Sequence, residues 1–235
     1  MFTHSAEFYD AIYSFRDYAA ETAQIAGLVR SAHPDARTML DVACGTGEHA
    51  RLLARDHGFE VDGLDLDTTL LGIARRKHST GRFFEGDMSD FSLAQRYDGV
   101  VCLFSSIGYL VTVDRLRRTL QCFRRHLEPG GVVIVEPWFP PGVIEADRVM
   151  RHTGEVQGLH VERVSHIEVD GRLSHLHFDY RFEGPDGVSL AKEVHELGLF
   201  TTDEVSAAFR AAGLTADYDA FGLTGRGLWV GRIAR

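Results

Sequence analysis

The sequence predicts an α/β fold in which one mostly parallel sheet carries an antiparallel insertion. Between about residues 38 and 137, short apolar runs alternate with stretches in which apolar residues recur every three or four positions. This alternation indicates strands and helices in turn, and it is typical of a parallel sheet covered on both faces. The next sixty or so residues instead alternate polar and apolar side chains, as antiparallel strands with one buried face do.

Each predicted element of the core has its own signal. The first strand, at about 38–43, runs into a glycine-rich turn, and a helix at about 47–57 follows. The helix at about 113–127 is the clearest, because its apolar residues lie three or four positions apart and Gly130 follows its end. The remaining core elements are strands at about 59–65, 81–85, 97–104 and 131–137 and a helix at about 68–78.

The insertion and the last core elements follow the fifth strand. Alternating stretches at 160–169 and 173–182 predict strands, and Asp170-Gly171 and Asp186-Gly187 are typical of hairpin turns. Thr201-Thr-Asp-Glu204 is a capping box and predicts a further helix. With final strands at about 214–221 and 227–234, the chain is expected to form a Rossmann-like, mostly parallel seven-stranded sheet with an antiparallel β insertion after strand five.

Composition and charge narrow the class of protein. The 235 residues, 44% hydrophobic and 25% charged, suit one well-packed domain or one domain with an insertion. The formal net charge of -9 argues against a nucleic-acid partner, because binding a polyanion needs cationic surface. We find no leader-like start and no long apolar window, so we expect a cytoplasmic protein without a membrane partner. The cysteines lie in apolar patterns without a C-x-x-C pair, which favours buried free thiols.

The strongest functional signal is the turn Asp41-Val-Ala-Cys-Gly-Thr-Gly47, which follows the first strand. With Ala50 counted, its glycines fit the dinucleotide fingerprint G-x-G-x-x-G/A. Asp65 lies 18 residues past Gly47, close to where a ribose-binding acid is expected. The spacing alone leaves open whether the turn holds a nucleotide that carries phosphates.

The charges around the turn favour a cofactor without phosphates. A dinucleotide places its pyrophosphate at the helix N-terminus, where Asp41 would repel it. Asp41 suits instead an ammonium group, such as that of the methionyl part of S-adenosylmethionine. Asp65 fits either cofactor through the ribose hydroxyls. Asp87-Met88, after the third strand, fits S-adenosylmethionine better, because the acid can accept from the adenine amino group while Met88 packs on the ring.

At these positions the chain resembles the class I S-adenosylmethionine-dependent methyltransferases. It has the D-x-x-x-G-x-G turn, the acid of the second strand, the pair Asp87-Met88 and the stretch Leu127-Glu-Pro-Gly-Gly131, in the order of that family. A dehydrogenase and a non-catalytic nucleotide-binding domain are the alternatives. The cofactor site implied by the resemblance consists of Arg16, Tyr18, Asp41, Ala43, Gly45, Gly47, Asp65, Leu66, Asp87, Met88 and Phe104.

Four further stretches resemble the N,N-dimethyltransferases that act on nucleotide-linked amino-deoxysugars in macrolide biosynthesis, the desosamine and mycaminose type. They are Phe104-Ser-Ser-Ile-Gly-Tyr-Leu110, Glu136-Pro-Trp-Phe139, Arg163-Val-Ser-His166 and Gly225-Arg-Gly-Leu228. This resemblance implies two successive methyl transfers to the amine of a TDP-linked amino sugar. The chain departs from this family in two places: the segment between Tyr13 and Tyr18 is short, and Phe139 replaces a second Trp. The identity of the sugar therefore stays open. A methyltransferase of another small metabolite, acting on N or O, is the runner-up.

The same resemblance suggests roles in catalysis and substrate binding. Tyr109 is the candidate catalytic residue, as acceptor of the amine proton directly or through water; simple packing at the strand end is the alternative. We expect Arg16 and Tyr18 to meet the cofactor carboxylate from a lid, although an aromatic helix face packed on the core is the other interpretation. The expected substrate-binding residues are Tyr9, Tyr13, Trp138, Arg163, His166 and Arg226. The two arginines would bind the pyrophosphate.

The chain is thus expected to have three parts. Residues 1–36 would form an N-terminal helical lid, residues 37–138 with 200–235 the S-adenosylmethionine-binding core, and residues 139–199 an antiparallel substrate cap. We expect no metal, because His175 and His177 share a strand face but no Cys or H-x-x-x-H pairing completes a site. The oligomeric state is open, with a homodimer as one expectation.

Overall fold

A computed structural model of the protein describes residues 8–144, 149–156, 158–185 and 187–233. The first seven residues of the expected lid, Asp186 of the second expected hairpin turn and the end of the last expected strand at residue 234 lie outside these ranges. Within the described ranges, no helix combines the length and the apolar character needed to cross a membrane.

The helices and strands alternate through the first half of the chain and then give way to a run of strands. The helices are α1 (Tyr9–Ile12), α2 (Tyr18–Ala32), α3 (Glu48–His57), α4 (Thr68–Lys77), α5 (Val113–Arg125) and α6 (Thr202–Ala211). The strands are β1 (Thr38–Val42), β2 (Glu60–Asp65), β3 (Phe83–Glu85), β4 (Tyr97–Cys102), β5 (Leu127–Val135), β6 (Met150–Val156), β7 (Leu159–Asp170), β8 (Leu173–Gly184), β9 (Gly187–Gly198), β10 (Leu214–Asp219) and β11 (Leu228–Ile233).

The main sheet has seven strands in the order β3-β2-β1-β4-β5-β11-β10. The strands from β3 to β5 are parallel, while β11 is antiparallel to both β5 and β10. This arrangement confirms the predicted Rossmann-like, mostly parallel sheet. The chain order reverses between β1 and β4, and a reversal of this kind opens a crevice at the carboxyl ends of the strands, where ligands of open α/β sheets bind.

A second, four-stranded antiparallel sheet, β6-β7-β8-β9, is inserted between β5 and α6 and confirms the predicted insertion. Its inner face buries Val161, Phe178 and Phe182 against Ile12 and Tyr13 of the N-terminal segment. Successive side chains of a strand point to opposite faces. The neighbours of these inward-facing residues along β7 and β8 therefore lie on the outer face of the inserted sheet. The two sheets and the N-terminal segment therefore meet at the carboxyl edge of the core.

Local backbone chemistry explains where the elements begin and end. The predicted capping box is present, since the Thr201 hydroxyl accepts from the Glu204 amide at 3.2 Å and the Glu204 carboxylate accepts from the Thr201 amide at 2.9 Å. The fourth strand, expected to reach residue 104, ends at Cys102. Phe104 and Ser105 have φ angles of 52° and 60°, which turn the chain into a 3₁₀ helix at Ser106–Leu110 that the sequence pattern did not reveal. The three cysteines are buried and free, as predicted.

Two glycines that flank α3 allow the cost of backbone strain to be separated from the cost of overpacking. Gly47 and Gly58 have φ angles of 72° and 71°, but a Cβ at Gly47 would lie 2.9 Å from Cβ of Ala74, whereas Gly58 faces open space. Gly58→Ala should lower the free energy of unfolding by about 1 kcal/mol through strain alone. Gly47→Ala should cost about 1 to 3 kcal/mol more, measured by urea denaturation. Equal losses would show that α4 moves away from the turn without cost.

Candidate active site

A cavity of about 370 Å³ lies between the carboxyl ends of the core strands, the inner face of the inserted sheet and the N-terminal segment. A smaller cavity, of about 30 Å³, adjoins it and shares Tyr9, Ala43, Gly45 and Phe104 in its wall. Fifteen of the predicted site residues line one or both cavities: Tyr9, Tyr13, Tyr18, Asp41, Ala43, Gly45, Asp65, Leu66, Asp87, Met88, Phe104, Tyr109, Trp138, Arg163 and Arg226.

The glycine-rich turn is held open by an acid from the neighbouring strand. Ala43 and Gly45 have φ angles of 58° and 55°, so the chain bends sharply at the end of β1. The Gly45 amide donates to Oδ2 of Asp65 at 2.8 Å, and Oδ1 of Asp65 accepts from the Asp67 amide at 2.9 Å. Burial raises the pKa of Asp65 above its ordinary value. Asp65 therefore supports the turn as well as lining the cavity.

Asp41 offers the smaller cavity an acceptor that the protein itself does not use. Its side chain is buried, and Oδ2 has no hydrogen-bond partner in the described part of the chain. Burial raises the pKa of Asp41 to about 7, an effect that His49 opposes and Asp65 reinforces. A buried carboxylate oxygen without a partner costs free energy unless a cation or donor joins it. The position thus fits the ammonium group of S-adenosylmethionine, as the sequence suggested.

Asp87 is held as an oriented, charged acceptor after β3. Oδ1 accepts from the amide and hydroxyl of Ser89 at 2.8 and 2.7 Å, and Oδ2 pairs with Arg115 at 2.7 Å. Burial alone would raise the pKa of Asp87, but these donors and the Arg115 charge hold it below its ordinary value. Met88 packs on the core beside it, while Leu66 is 53% exposed.

The guanidinium of Arg16 lies 4.0 Å from the centroid of the Phe104 ring and pairs with Glu21 at 2.6 Å. It lines neither cavity, although Phe104 lines both. Glu21 also accepts from His49 at 2.8 Å. Burial would raise the pKa of Glu21, but these two partners lower it overall. A contact of Arg16 with the cofactor carboxylate stays a prediction.

Two arginines face the large cavity from opposite parts of the chain. Arg163 is 4% exposed and lies between the rings of Tyr13 and Phe178, at 4.7 and 4.8 Å. Its Nη2 is 3.1 Å from Nδ1 of His152, whereas Nε and Nη1 are buried and find no hydrogen-bond partner among the residues described. Arg163 therefore carries donors that a ligand in the cavity can satisfy.

Arg226 reaches the cavity from the loop before β11. It donates to the Ser105 hydroxyl at 3.2 Å and lies 5.3 and 5.6 Å from the ring centroids of Phe104 and Trp138. Burial lowers the pKa of Arg226 below its ordinary value, while the charge of Glu136 works in the other direction. The indole of Trp138 is itself fixed, because its Nε1 donates to Ser174 of β8 at 2.8 Å.

Tyr109 has a partner that sequence reasoning missed. Its hydroxyl lies 2.8 Å from Nδ1 of His195, and Nε2 of His195 lies 3.4 Å from a carboxylate oxygen of Glu193. Burial raises the pKa of Tyr109 far above its ordinary value, so the phenol is neutral and does not act as a base by itself. A signal for the two missed residues existed: they are polar but occupy alternate positions of β9 that face inward with Leu197.

One predicted site residue, His166, has another position than expected, and one, Gly47, lies in the predicted turn but outside the cavity walls. His166 was expected to contact substrate, but the structure places it on the outer face of β7, because Arg163 and Ser165 occupy the inner face and side chains alternate. Its ring stacks on His177 at 4.5 Å. Gly47 lines neither cavity, and its lack of a side chain serves the close approach to Ala74.

The outer face brings His166, Glu168 and His177 together, a grouping that linear spacing did not reveal. Their potential metal-ligand atoms lie within 4.8 Å of one another. The two imidazole rings, however, are stacked with an interplanar angle of 3°. Ring nitrogens bind metals in the plane of the ring at about 2.0 to 2.1 Å, so two parallel rings do not aim at one ion. A metal here would require both side chains to rotate.

The fold, the glycine turn and the acids at the strand ends define a methyltransferase, and residues 39–131 match the family described as "Methyltransferase domain". Along 229 residues the chain is 42% identical to the dTDP-3-amino-3,6-dideoxy-alpha-D-glucopyranose N,N-dimethyltransferase of Streptomyces fradiae, covering 96% of this chain and 89% of that protein. It is also 42% identical to the dTDP-3-amino-3,4,6-trideoxy-alpha-D-glucopyranose N,N-dimethyltransferase of Streptomyces venezuelae, with 96% of each chain covered. The chain belongs to the family of dTDP-amino-deoxysugar N,N-dimethyltransferases.

Solved structures agree with this family. The crystal structure of DesVI from Streptomyces venezuelae superimposes with a TM-score of 0.92 at 40% identity, over 99% of both chains. SAM-bound CalS10, an amino pentose methyltransferase from Micromonospora echinaspora, gives a TM-score of 0.86 at 36% identity, over 96% of both chains. The predicted enzyme class and the predicted S-adenosylmethionine cofactor are confirmed, and the dehydrogenase alternative is dropped.

The state of Asp41 predicts how cofactor binding depends on pH. In the free protein the carboxyl group is mostly protonated below pH 7, because its pKa is raised to about 7. Binding a cation there must displace that proton, so affinity should rise by at most about tenfold per pH unit between pH 5 and 7 and then level off. Calorimetry in buffers of different ionisation enthalpy should detect release of a proton at pH 6 but not at pH 8.5.

Asp41→Asn is the matched control for this titration, since it keeps the shape and removes the ionisable group. It should bind S-adenosylmethionine more weakly, without the additional proton release seen in the wild type. The same proton release in wild type and variant would assign the titration to another group.

Proposed function

We propose that the protein transfers methyl groups from S-adenosylmethionine to the amine of a nucleotide-linked amino-deoxysugar. The observation that carries this substrate class is the pair of arginines in the wall of the cavity, Arg163 and Arg226, of which the buried Arg163 has donors without partners among the described residues. Burying a guanidinium with unpaired donors is costly, and a diphosphate repays that cost with charge-assisted hydrogen bonds. The relatives that are 42% identical act, by their names, on dTDP-linked 3-amino sugars.

The residues of the smaller cavity and the adjoining strand ends fit the cofactor. Asp41 would hold its ammonium group, Asp65 its ribose and Asp87 its adenine amino group. When bound, S-adenosylmethionine supplies an electrophilic methyl group on a sulfonium. The protein then has to bring a neutral amine in line with that methyl group and keep water out, and positioning and desolvation provide most of the acceleration in such a transfer.

The substrate would lie in the larger cavity against the inserted sheet. Arg163 and Arg226 would bind the diphosphate, and the fixed indole of Trp138 would stack on the sugar or the base. The ring of Tyr13 packs edge-on against Phe104 at 4.9 Å, so Tyr13 reaches the boundary between the cofactor side and the sugar side. Tyr9 packs on Tyr13 at 4.6 Å and lines both cavities.

The N-terminal segment is latched over the turn. Oδ1 of Asp10 accepts from the Thr46 hydroxyl at 2.6 Å, and Oδ2 pairs with Lys77 of α4 at 2.8 Å. This latch supports the division into a lid (1–36), a core (37–138 and 200–235) and a substrate cap (139–199), which we retain as a proposal. The homodimer and the cytoplasmic location expected from the sequence stay predictions.

The function is tested with a panel of dTDP-linked amino sugars and S-adenosylmethionine, with product masses as the readout. We expect products that carry one and then two added methyl groups on a 3-amino sugar. The matched control is the same sugar nucleotide with a hydroxyl group in place of the amine, which should stay unmodified. Methylation of the hydroxyl analogue, or of none of the amino sugars, would refute the proposed substrate class.

The two arginines should act on substrate affinity and not on cofactor affinity. Arg163→Met and Arg226→Met keep the packing stem but remove the charge, and each should raise KM for the dTDP-amino sugar about 10- to 100-fold. The Kd for S-adenosylmethionine, measured by calorimetry, should stay nearly constant. Arg181→Met is the matched control, since Arg181 lies on the outer face of β8 and pairs with Glu183.

A free amino sugar without the nucleotide is the complementary substrate for testing the two arginine variants. Its KM should differ little between wild type and variants, because the group that the arginines bind is missing. Equal losses of sugar and cofactor binding would instead assign the arginines to the stability of the fold.

A further inference from the structure

The Tyr109 hydroxyl contacts the buried imidazole of His195, which in turn contacts the buried carboxylate of Glu193. Tyr109 stands on the 3₁₀ helix of the core and lines the cavity, whereas His195 and Glu193 belong to β9 of the inserted sheet. The side chains of His195 and Glu193 are 2% and 3% exposed. We propose that Tyr109, His195 and Glu193 form a proton relay that removes a proton from the substrate amine, an inference that rests on the proposed function.

The proposed reaction creates the need for a proton acceptor. An amine attacks a methyl group through its lone pair, and it has that lone pair only when it is not protonated. Each transfer to a neutral primary or secondary amine leaves an ammonium, so the first product must lose a proton before a second methyl group can be added. A positioned acceptor inside the cavity lets the enzyme use the protonated form that prevails at neutral pH.

Tyr109 cannot meet this need alone, because burial disfavours its phenolate. The position of His195 resolves the difficulty. Glu193 beside Nε2 favours the tautomer with the proton on Nε2, and in this tautomer Nδ1 accepts from the Tyr109 hydroxyl. The phenolic oxygen can then accept from the substrate while its own proton points at the imidazole.

The step balances without an ionised tyrosine. An N–H bond of the ammonium breaks and an O–H bond forms on Tyr109, while the original O–H bond of Tyr109 breaks and an N–H bond forms at Nδ1 of His195. The ammonium becomes a free amine, and the positive charge comes to lie on an imidazolium beside Glu193. The proton passes to solvent when the product leaves.

His195 and Glu193, the two members of the relay on β9, are shielded from solvent. The titratable groups around Tyr109 are Tyr9 and Tyr13 of the N-terminal segment, Tyr180 of β8, Asp65 of β2 and Glu193 itself. The Phe178 ring packs on His195 at 5.0 Å and also contacts Arg163. Tyrosines are neutral at physiological pH, so the carboxylate next to Nε2 is the group best placed to stabilise the imidazolium.

The pH profile of methylation tests the relay. Tyr109→Phe and His195→Asn should each lower kcat at pH 7 by about 100-fold, with little change in KM. The loss should shrink as the pH rises towards the pKa of the substrate amine, because free amine is then supplied by solution. Glu193→Gln should show the same trend with a smaller loss, and the double variant Tyr109→Phe/His195→Asn should be no worse than either single variant.

His175→Asn is the matched control, since His175 lies on the outer face of the inserted sheet and should retain the wild-type profile. A loss of the same factor at every pH, or wild-type rates in the relay variants, would overturn the relay. A wild-type enzyme that methylates no amino sugar would overturn the proposed function instead.

A second measurement needs no turnover. Nitrogen–proton NMR correlation of the imidazoles in the cofactor-free protein should show His195 protonated on Nε2, with Nδ1 shifted by its hydrogen bond. Tyr109→Phe should move the Nδ1 resonance and Glu193→Gln the Nε2 resonance. A His195 protonated on Nδ1 would contradict the relay whatever the kinetics show.

Discussion

The carboxylate of Glu136 holds together the segments from which the site is built. It is fully buried at the end of β5, where one oxygen accepts from the Phe104 amide at 2.7 Å and the other from the Thr224 hydroxyl at 2.5 Å. Phe104 begins the strained turn after β4, and Thr224 belongs to the loop that carries Arg226. Glu136 therefore positions the Phe104 ring, which lines both cavities, and the 3₁₀ helix that carries Tyr109. It also positions the loop that carries Arg226. A buried carboxylate is tolerable here because donors from two segments satisfy it.

The local distribution of charge explains the site better than the net charge does. The chain carries a formal charge of -9, yet its two adjoining cavities have acids at the strand ends of the core and arginines on the side of the inserted sheet and the last loop. Asp41, Asp65 and Asp87 lie at the carboxyl ends of the parallel strands, where Asp41 suits the cationic end of the cofactor and the other two suit its neutral hydrogen-bond donors. Arg163 and Arg226 lie where the inserted sheet and the last loop close the cavity, and they suit an anionic substrate. A cationic donor and an anionic nucleotide sugar can thus occupy the adjoining cavities without competing for the same partners.

The parts of the site that could be predicted from the sequence are those fixed by strand ends. Asp41, Asp65 and Asp87 follow apolar runs, and parallel topology brings such ends to one edge. The 3₁₀ helix could not be predicted, because two residues other than glycine, Phe104 and Ser105, adopt positive φ only under tertiary constraint. Which face of the inserted sheet His166 occupies depends on the strand register. A change of register by one residue moves every side chain of the strand to the other face, so the sequence alone did not determine it. The contact between Tyr109 and His195 spans 86 residues and two sheets, which no local pattern encodes.

The segment at 106–111 and β9 pack closely against each other because glycines lie at their contact. A Cβ at Gly198 would lie 2.7 Å from the carbonyl oxygen of Val111, and one at Gly108 would lie 2.8 Å from Leu197. These close approaches restrict how the inserted sheet can dock on the core. For recombination between relatives, the inserted sheet is therefore not a freely exchangeable module. A chimera that inherits the inserted sheet from one parent must take the segment at 103–112 from the same parent. Otherwise the contact between the positions of Tyr109 and His195 is made by residues from two different proteins.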